Sequence, residues 1–147
     1  MADILHRIGI KSSSMETVYQ SLTTREGLAG WWTGNTQGKG DQVGDILKFR
    51  FGAGGFDMKV IDLTPTLVKW EVAEGPEEWM GTTISFELKQ ENDYVVVLFK
   101  HQNWKEPVEF MHHCSTKWAI FLMSLKAFAE TGKGTPDPID VKIDNWN

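Results

Sequence analysis

With 147 residues, 41% of them hydrophobic and 24% charged, the chain has the size and balance of one globular domain with a substantial core. It has no apolar run of about 18 residues, which excludes a membrane-spanning helix. Its net charge is −5 with scattered Lys and Arg, which argues against a nucleic-acid partner. One cysteine excludes an internal disulfide and fits a reducing cytoplasm. The opening MADILHRIGI lacks the basic start and apolar stretch of a signal peptide, so export is not expected. Seven Trp and eight Phe against two Tyr favour a thick core or a cavity with aromatic walls.

In chain order, ILHRIGI (4–10) alternates Ile4, His6, Ile8 and Ile10 on one face, the period of a half-buried strand. SSSMETVYQSL follows, with Ser13 and Glu16 spaced as a capping box before a helical stripe of Met15, Val18, Tyr19 and Leu22. The serine triplet is read as this cap rather than as a phosphorylation site. Thr23 and Glu26 repeat the signal, so a second short helix is expected to run to about Ala29, where Gly30 breaks it.

From Trp31 the texture changes to strands. DILKFRF (45–51) sets Leu47, Phe49 and Phe51 against Lys48 and Arg50, and FDMKVIDL (56–63) aligns Phe56, Met58 and Val60. LVKWEVA (67–73) aligns Val68, Trp70 and Val72, and TTISFELKQ (82–90) aligns Ile84, Phe86 and Leu88. GAGG (52–55) is a turn and not a phosphate loop, because no G-K-[ST] follows and the next element is a strand. Pro65, GPEEWM (75–80) and Asn92-Asp93 mark further turns. YVVVLFKH (94–101) is apolar on both faces, so pattern alone does not define its inward face; Phe99 and His101 share one parity. The short connections predict an antiparallel meander.

The last element starts with Pro107 at a first helical position and Glu109 near the positive helix end. Cys114, Trp118, Phe121, Leu125 and Phe128 then recur at spacings of four and three, Leu122 and Ala129 widen the stripe, and Gly132 caps it. A helix of about 25 residues spans roughly 37 Å. Only a large curved sheet covers an apolar face that long. The expected fold is α+β: one strand, two short helices, six strands, five of which the pattern locates, and a long helix. It forms a single domain over 1–135 with a Pro- and Asp-rich surface tail at 136–147.

Four stretches carry a family resemblance: ILHRIGIKSSSMETVYQSLTTREGLAGWWT, GFDMKV, VKWEVAEGPEEWMGTTISFEL and CSTKWAIFLMSLKAFAETGKGTP. The pair Trp31-Trp32 and the terminal W…FL.SLK…E.GKG.P pattern are its most specific parts. The chain resembles the helix-grip fold of the START-like (SRPBCC) superfamily, in particular small bacterial members of the branch named after the activator of heat-shock-protein-90 ATPase. The resemblance implies a curved antiparallel sheet of about seven strands around the C-terminal helix. It also implies a deep cavity between them, used across the superfamily for lipids, sterols, polyketides or hormones. It does not imply one chemistry.

Three candidate sites follow. His101, His112, His113 and Cys114 invite a metal reading, but adjacent helical residues point about 100° apart and the ligand count is too low. The Glu109–His112 and Glu109–His113 spacings lack the second motif that a di-metal bundle needs. Cys114 lies on the apolar stripe, where its thiolate is suppressed, so it reads as a small core residue. The aromatic set is the better candidate: Trp32, Phe49, Phe51, Phe56, Trp70, Phe86, Phe99, Trp118 and Phe121 as ligand walls, with His101 and His113 as polar groups at the cavity mouth. Trp31, Trp32 and Trp79 flank loops and either rim the opening or staple loops to the sheet.

The reading is a non-enzymatic cytoplasmic module that binds a small apolar or aromatic ligand, without metal or cofactor. The alternatives are an enzyme of cyclase or hydrolase type with His101 or His113 as general acid/base, and a co-chaperone-like interaction module. A homodimer and a chaperone partner stay open.

Overall fold

A computed structural model describes residues 1–11 and 13–147. Among these, the chain runs β1 (Ala2–Lys11), α1 (Met15–Thr23), α2 (Arg25–Trp31), β2 (Asn35–Gln37), β3 (Ile46–Phe51), β4 (Gly54–Thr64), β5 (Leu67–Glu74), a 3₁₀ turn at Glu77–Trp79, β6 (Thr83–Glu91), β7 (Tyr94–Trp104) and α3 (Glu109–Thr131). The seven strands form one curved antiparallel sheet in the order β1-β7-β6-β5-β4-β3-β2. β1 and β2 thus lie at opposite edges, and α1 and α2 carry the chain across between them.

Local chemistry sets the helix starts one residue later than the spacing suggests. Ser14, not Ser13, caps α1: its backbone is extended and its Oγ accepts the Thr17 N–H at 3.0 Å. Thr24, not Thr23, caps α2 by accepting from Gly27 N–H at 3.0 Å. Glu16 and Glu26 then fall in the first turns, facing the positive helix ends rather than closing capping boxes. Ser12, also in the triplet, lies outside the described residues. Gly30 does not break α2, which continues to Trp31. A Cβ at Gly30 would lie 2.3 Å from the Phe128 ring, so this glycine exists to let α2 approach α3. Pro107 precedes α3 instead of opening it; Val108 is the cap residue, and Gly132 (φ 83°) ends the helix in the left-handed region. The three-residue β2 has no sequence pattern long enough to mark it.

On the inward face the strand parities agree with the pattern: Leu47, Phe49, Met58, Val60, Val68, Trp70, Ile84 and Phe86 are all inaccessible. For β7 the core takes the parity of Val95, Val97, Phe99 and His101. α3 seals the β1 edge with side chains, since Lys126 Nζ donates to the Gly9 carbonyl and Glu130 accepts the Lys11 N–H at 2.8 Å. At the other end of the groove between helix and sheet, Trp32 is the hub. Its ring lies 4.3 Å from Phe49, 5.1 Å from Trp118 and 5.9 Å from the parallel Trp70. Each such pair contributes about 0.5–1.5 kcal/mol beyond area burial, so the groove is mostly filled with rings.

Candidate functional site

What these rings leave open is one small pocket beside the N-terminal half of α3. The sheet side and back consist of Trp32, Phe51 and Phe56, and α3 supplies Phe110, His113, Cys114, Lys117, Trp118 and Phe121. Trp79 enters from the 3₁₀ turn, stacked on Phe56 at 4.2 Å and facing Trp118 at 6.1 Å. The pocket is half open to solvent and its volume is about 140 Å³. Ordinary ligand pockets hold roughly 300–1,000 Å³, whereas a dry cavity of about 150 Å³ admits benzene. The space therefore fits one ring, and is smaller than the deep cavity the resemblance implies. The reason is steric: Trp32, Trp70 and Trp118 occupy the groove themselves.

The 136–147 segment forms the mouth. After Gly132 the chain reverses and runs back along α3, touching it at successively earlier turns. Thr135 N–H donates to Ser124 Oγ at 2.8 Å, Asp140 pairs with Lys117, Asp144 Oδ2 lies 2.8 Å from His113 Nδ1, and Trp146 packs 6.3 Å from Phe110. Asp137 ties the same segment to the end of α2, its N–H donating to the Trp32 carbonyl at 2.8 Å. Trp146 and Asn147 complete the pocket lining. The segment is thus a strap, with Trp146 and Asn147 over the opening.

Electrostatics anchor the strap. The Asp140 side chain is fully buried, and Lys117 is nearly so. Burial pushes the Asp140 carboxyl up, but hydrogen bonds from Lys117 and Lys142 outweigh it and hold the group below its usual range. Lys117 also donates to the Val141 carbonyl at 3.0 Å and sits 4.9 Å over the Phe121 ring, so its charge is fully engaged. Asp137, on the same segment, is pushed up by burial and by the nearby Asp140. At the mouth, the His113 hydrogen bond lowers the Asp144 carboxyl.

His101 belongs to the layer beneath the pocket. Trp118 Nε1–H donates to its Nδ1 at 3.1 Å, so its proton resides on Nε2 and goes to Thr82 Oγ1 at 2.9 Å. Thr82 passes its own hydroxyl proton to the Trp79 carbonyl at 2.6 Å. Burial pushes the imidazole down to about 3, which keeps it neutral. Cys114 is pushed up to about 12 by burial, against a small opposing effect of the Trp79 indole, so its thiol is inert as a nucleophile.

A sequence profile described as Activator of Hsp90 ATPase homolog 1-like protein matches residues 12–130. The chain belongs to this family. Its fold is similar to that of the Aha1 dimer from Colwellia psychrerythraea, solved in solution: 51% identity, 91% of this chain and 100% of that chain covered, TM-score 0.82. A Staphylococcus saprophyticus protein (17% identity, 90% and 95% covered, TM-score 0.74) and a Bacillus halodurans protein (19%, 88% and 98%, TM-score 0.71) share the fold alone. No curated protein matches the chain.

Within this family member, the structure divides the sequence-derived site residues into two groups. Trp32, Phe51, Phe56, His113, Trp118 and Phe121 line the pocket. Phe49, Trp70, Phe86, Phe99 and His101 are 0–1% exposed and lie in the core around it. His101 and His113 therefore do not form a pair at the mouth; only His113 reaches it. Trp31 staples α2 to α1 through its Nε1–H to the Ser21 carbonyl at 2.8 Å, while Trp79 is a pocket wall. His112 points to solvent and His113 to the mouth, as helical geometry requires. Among the described residues no three His, Cys, Asp or Glu side chains are grouped to hold a metal ion, and no helix is long and apolar enough to cross a membrane. Sequence reasoning missed Phe110, Lys117, Trp146 and Asn147 as lining residues, and read Cys114 as core where it also lines the pocket. The tail gives no periodic signal, and the spacing Lys117 to Asp140 carries meaning only once the chain is seen to reverse.

Proposed function

We propose that the chain is a binding module for a small apolar, ring-bearing molecule, held in the aromatic pocket between sheet and α3 and covered by the 136–147 strap. The observation that carries this reading is the pocket itself: a ring-sized space walled by Trp32, Phe56, Trp79, Trp118 and Phe121, which are residues that bind apolar rings well. A larger ligand of the kind other START-like proteins hold requires the strap to lift. The reading treats 1–135 as one binding domain and 136–147 as its cover, acting without metal or cofactor in the cytoplasm, consistent with a lone reduced cysteine. Native mass spectrometry of the protein purified from its own host tests it. The wild type should carry a small bound mass that the pocket-filling Cys114→Phe variant lacks. Empty protein in both would contradict the reading.

Self-association is a second reading, supported by the description of the 51% identical relative as a dimer. Light scattering across concentrations decides it. A cyclase or hydrolase activity is less well supported, because His101 is neutral and out of reach. His113 is its one usable imidazole.

A further inference from the structure

The two edges of the sheet differ in what they offer a second copy of the chain. At one edge β2 has three residues, and the strap lies beside its start, where the Gly34 N–H donates to the Asp137 carbonyl at 3.1 Å. At the other edge β1 has ten residues. Its backbone groups alternate between β7 and the free side, and two contacts show which parity is free. Gly9 accepts from Lys126, and Lys11 donates to Glu130. These contacts cover only 9–11. By the same alternation Asp3, Leu5 and Arg7 turn their N–H and C=O groups off the sheet, where no described residue pairs with them. Leu5 is 63% exposed there.

The side chains of this open half fit a copy of themselves. Ile4 is buried and His6 reaches the Ser115 carbonyl of α3 at 3.1 Å, so Asp3, Leu5 and Arg7 point to the outer face of the sheet. When two β1 strands pair antiparallel about a two-fold axis through Leu5, this residue faces its own copy, and Asp3 faces the partner's Arg7 at both ends. Arg7 is half exposed although it meets Glu91 at 3.2 Å, and the Asp3 carboxylate, held by the Asn103 N–H at 3.0 Å, keeps further lone pairs for an arginine. A strand paired with itself in this way makes a closed, isologous contact, which ends at two chains. We propose, resting on the self-association reading, that the chain dimerises through residues 3–7 of β1, so that one sheet runs across both copies. The ladder is confined to 3–7 because Lys126 and Glu130 already occupy the groups of Gly9 and Lys11. So short a contact makes a dimer that dissociates on dilution.

Sedimentation velocity of the full chain across concentrations, together with amide hydrogen exchange at Leu5 and Arg7, tests the assignment. The wild type should pass from one chain to two as concentration rises, and the two amides should become protected in step. Arg7→Glu and Asp3→Arg should each weaken the dimer about tenfold or more, because each sets like charges opposite one another at both ends. Mixed in equal amounts, the two variants should dimerise again, since every facing pair then has opposite charge. The wild-type amides keep the test valid where a variant folds poorly. A dimer with unchanged exchange at Leu5 and Arg7, or a mixture no tighter than either variant alone, would overturn the β1 assignment and leave self-association standing. A single chain at every concentration would overturn self-association itself, and this assignment with it.

Discussion

His101 shows how much a single buried side chain decides. Its strand parity with Phe99 was legible in the sequence and is what buries it, but parity gives no depth along the groove. The residue therefore lies under Trp118 and not at the mouth. Desolvation drives its pKa from 6.5 to about 3. Between those values the unfolded chain holds a proton that the folded chain refuses, so unfolding takes up protons and stability falls as pH drops from about 6.5 towards 3. The full effect is about 4–5 kcal/mol at 1.36 kcal/mol per pH unit. Urea unfolding at about pH 7.5 and pH 4.5 should show about 2–3 kcal/mol of this loss in the wild type, since about two of the titrating pH units are crossed, with a clearly shallower slope in His101→Gln, which keeps hydrogen-bonding capacity but has no proton to gain in this range. Equal slopes in both proteins would remove His101 from the acid sensitivity. The burial of Cys114 was legible, because its four- and seven-residue spacing to Trp118 and Phe121 puts it on the buried stripe, but its place on the pocket wall was not.

At the scale of elements, α3 and the strap act as a pair. The helix was readable from its apolar stripe and its Gly132 stop, whereas the partner of its polar positions was not. Lys117 and Ser124 are polar residues outside the apolar stripe, and both are buried because the strap returns over them. The same blindness applied to Gly30, whose role depends on Phe128 nearly a hundred residues away. Removing Lys117 leaves the buried Asp140 carboxylate with the half-exposed Lys142 as its remaining cation, so the cost stays below the about 3–5 kcal/mol of a wholly unpaired buried charge, whereas replacing both members of the pair with apolar residues is close to neutral. Lys117→Met alone should therefore be destabilised by about 1–3 kcal/mol and should expose 136–147 to proteolysis. Lys117→Met with Asp140→Leu should recover most of the loss in urea unfolding. Additive losses in the double variant would mean that the pair is not what seats the strap.

For the whole molecule, the fold was legible because each level agreed: alternating strands, short turns, one long apolar stripe and a family resemblance all required a sheet wrapped around a helix. The pocket was only half legible. Patterns identify which rings point inward, but not which of them touch each other and which leave space. That depends on Trp32 and Trp70 stacking in parallel at 5.9 Å and on a tail that comes back to Phe110. The seven tryptophans now provide the direct test. Trp32, Trp79, Trp118 and Trp146 line the pocket, while Trp31, Trp70 and Trp104 do not. The indole N–H resonances of the full chain, followed while phenol is added, read the site in one spectrum. Binding in the pocket should shift the first four saturably and leave the other three nearly still. Saturating phenol that leaves Trp79 and Trp118 unmoved, or moves all seven alike, would contradict a ring site between the sheet and α3.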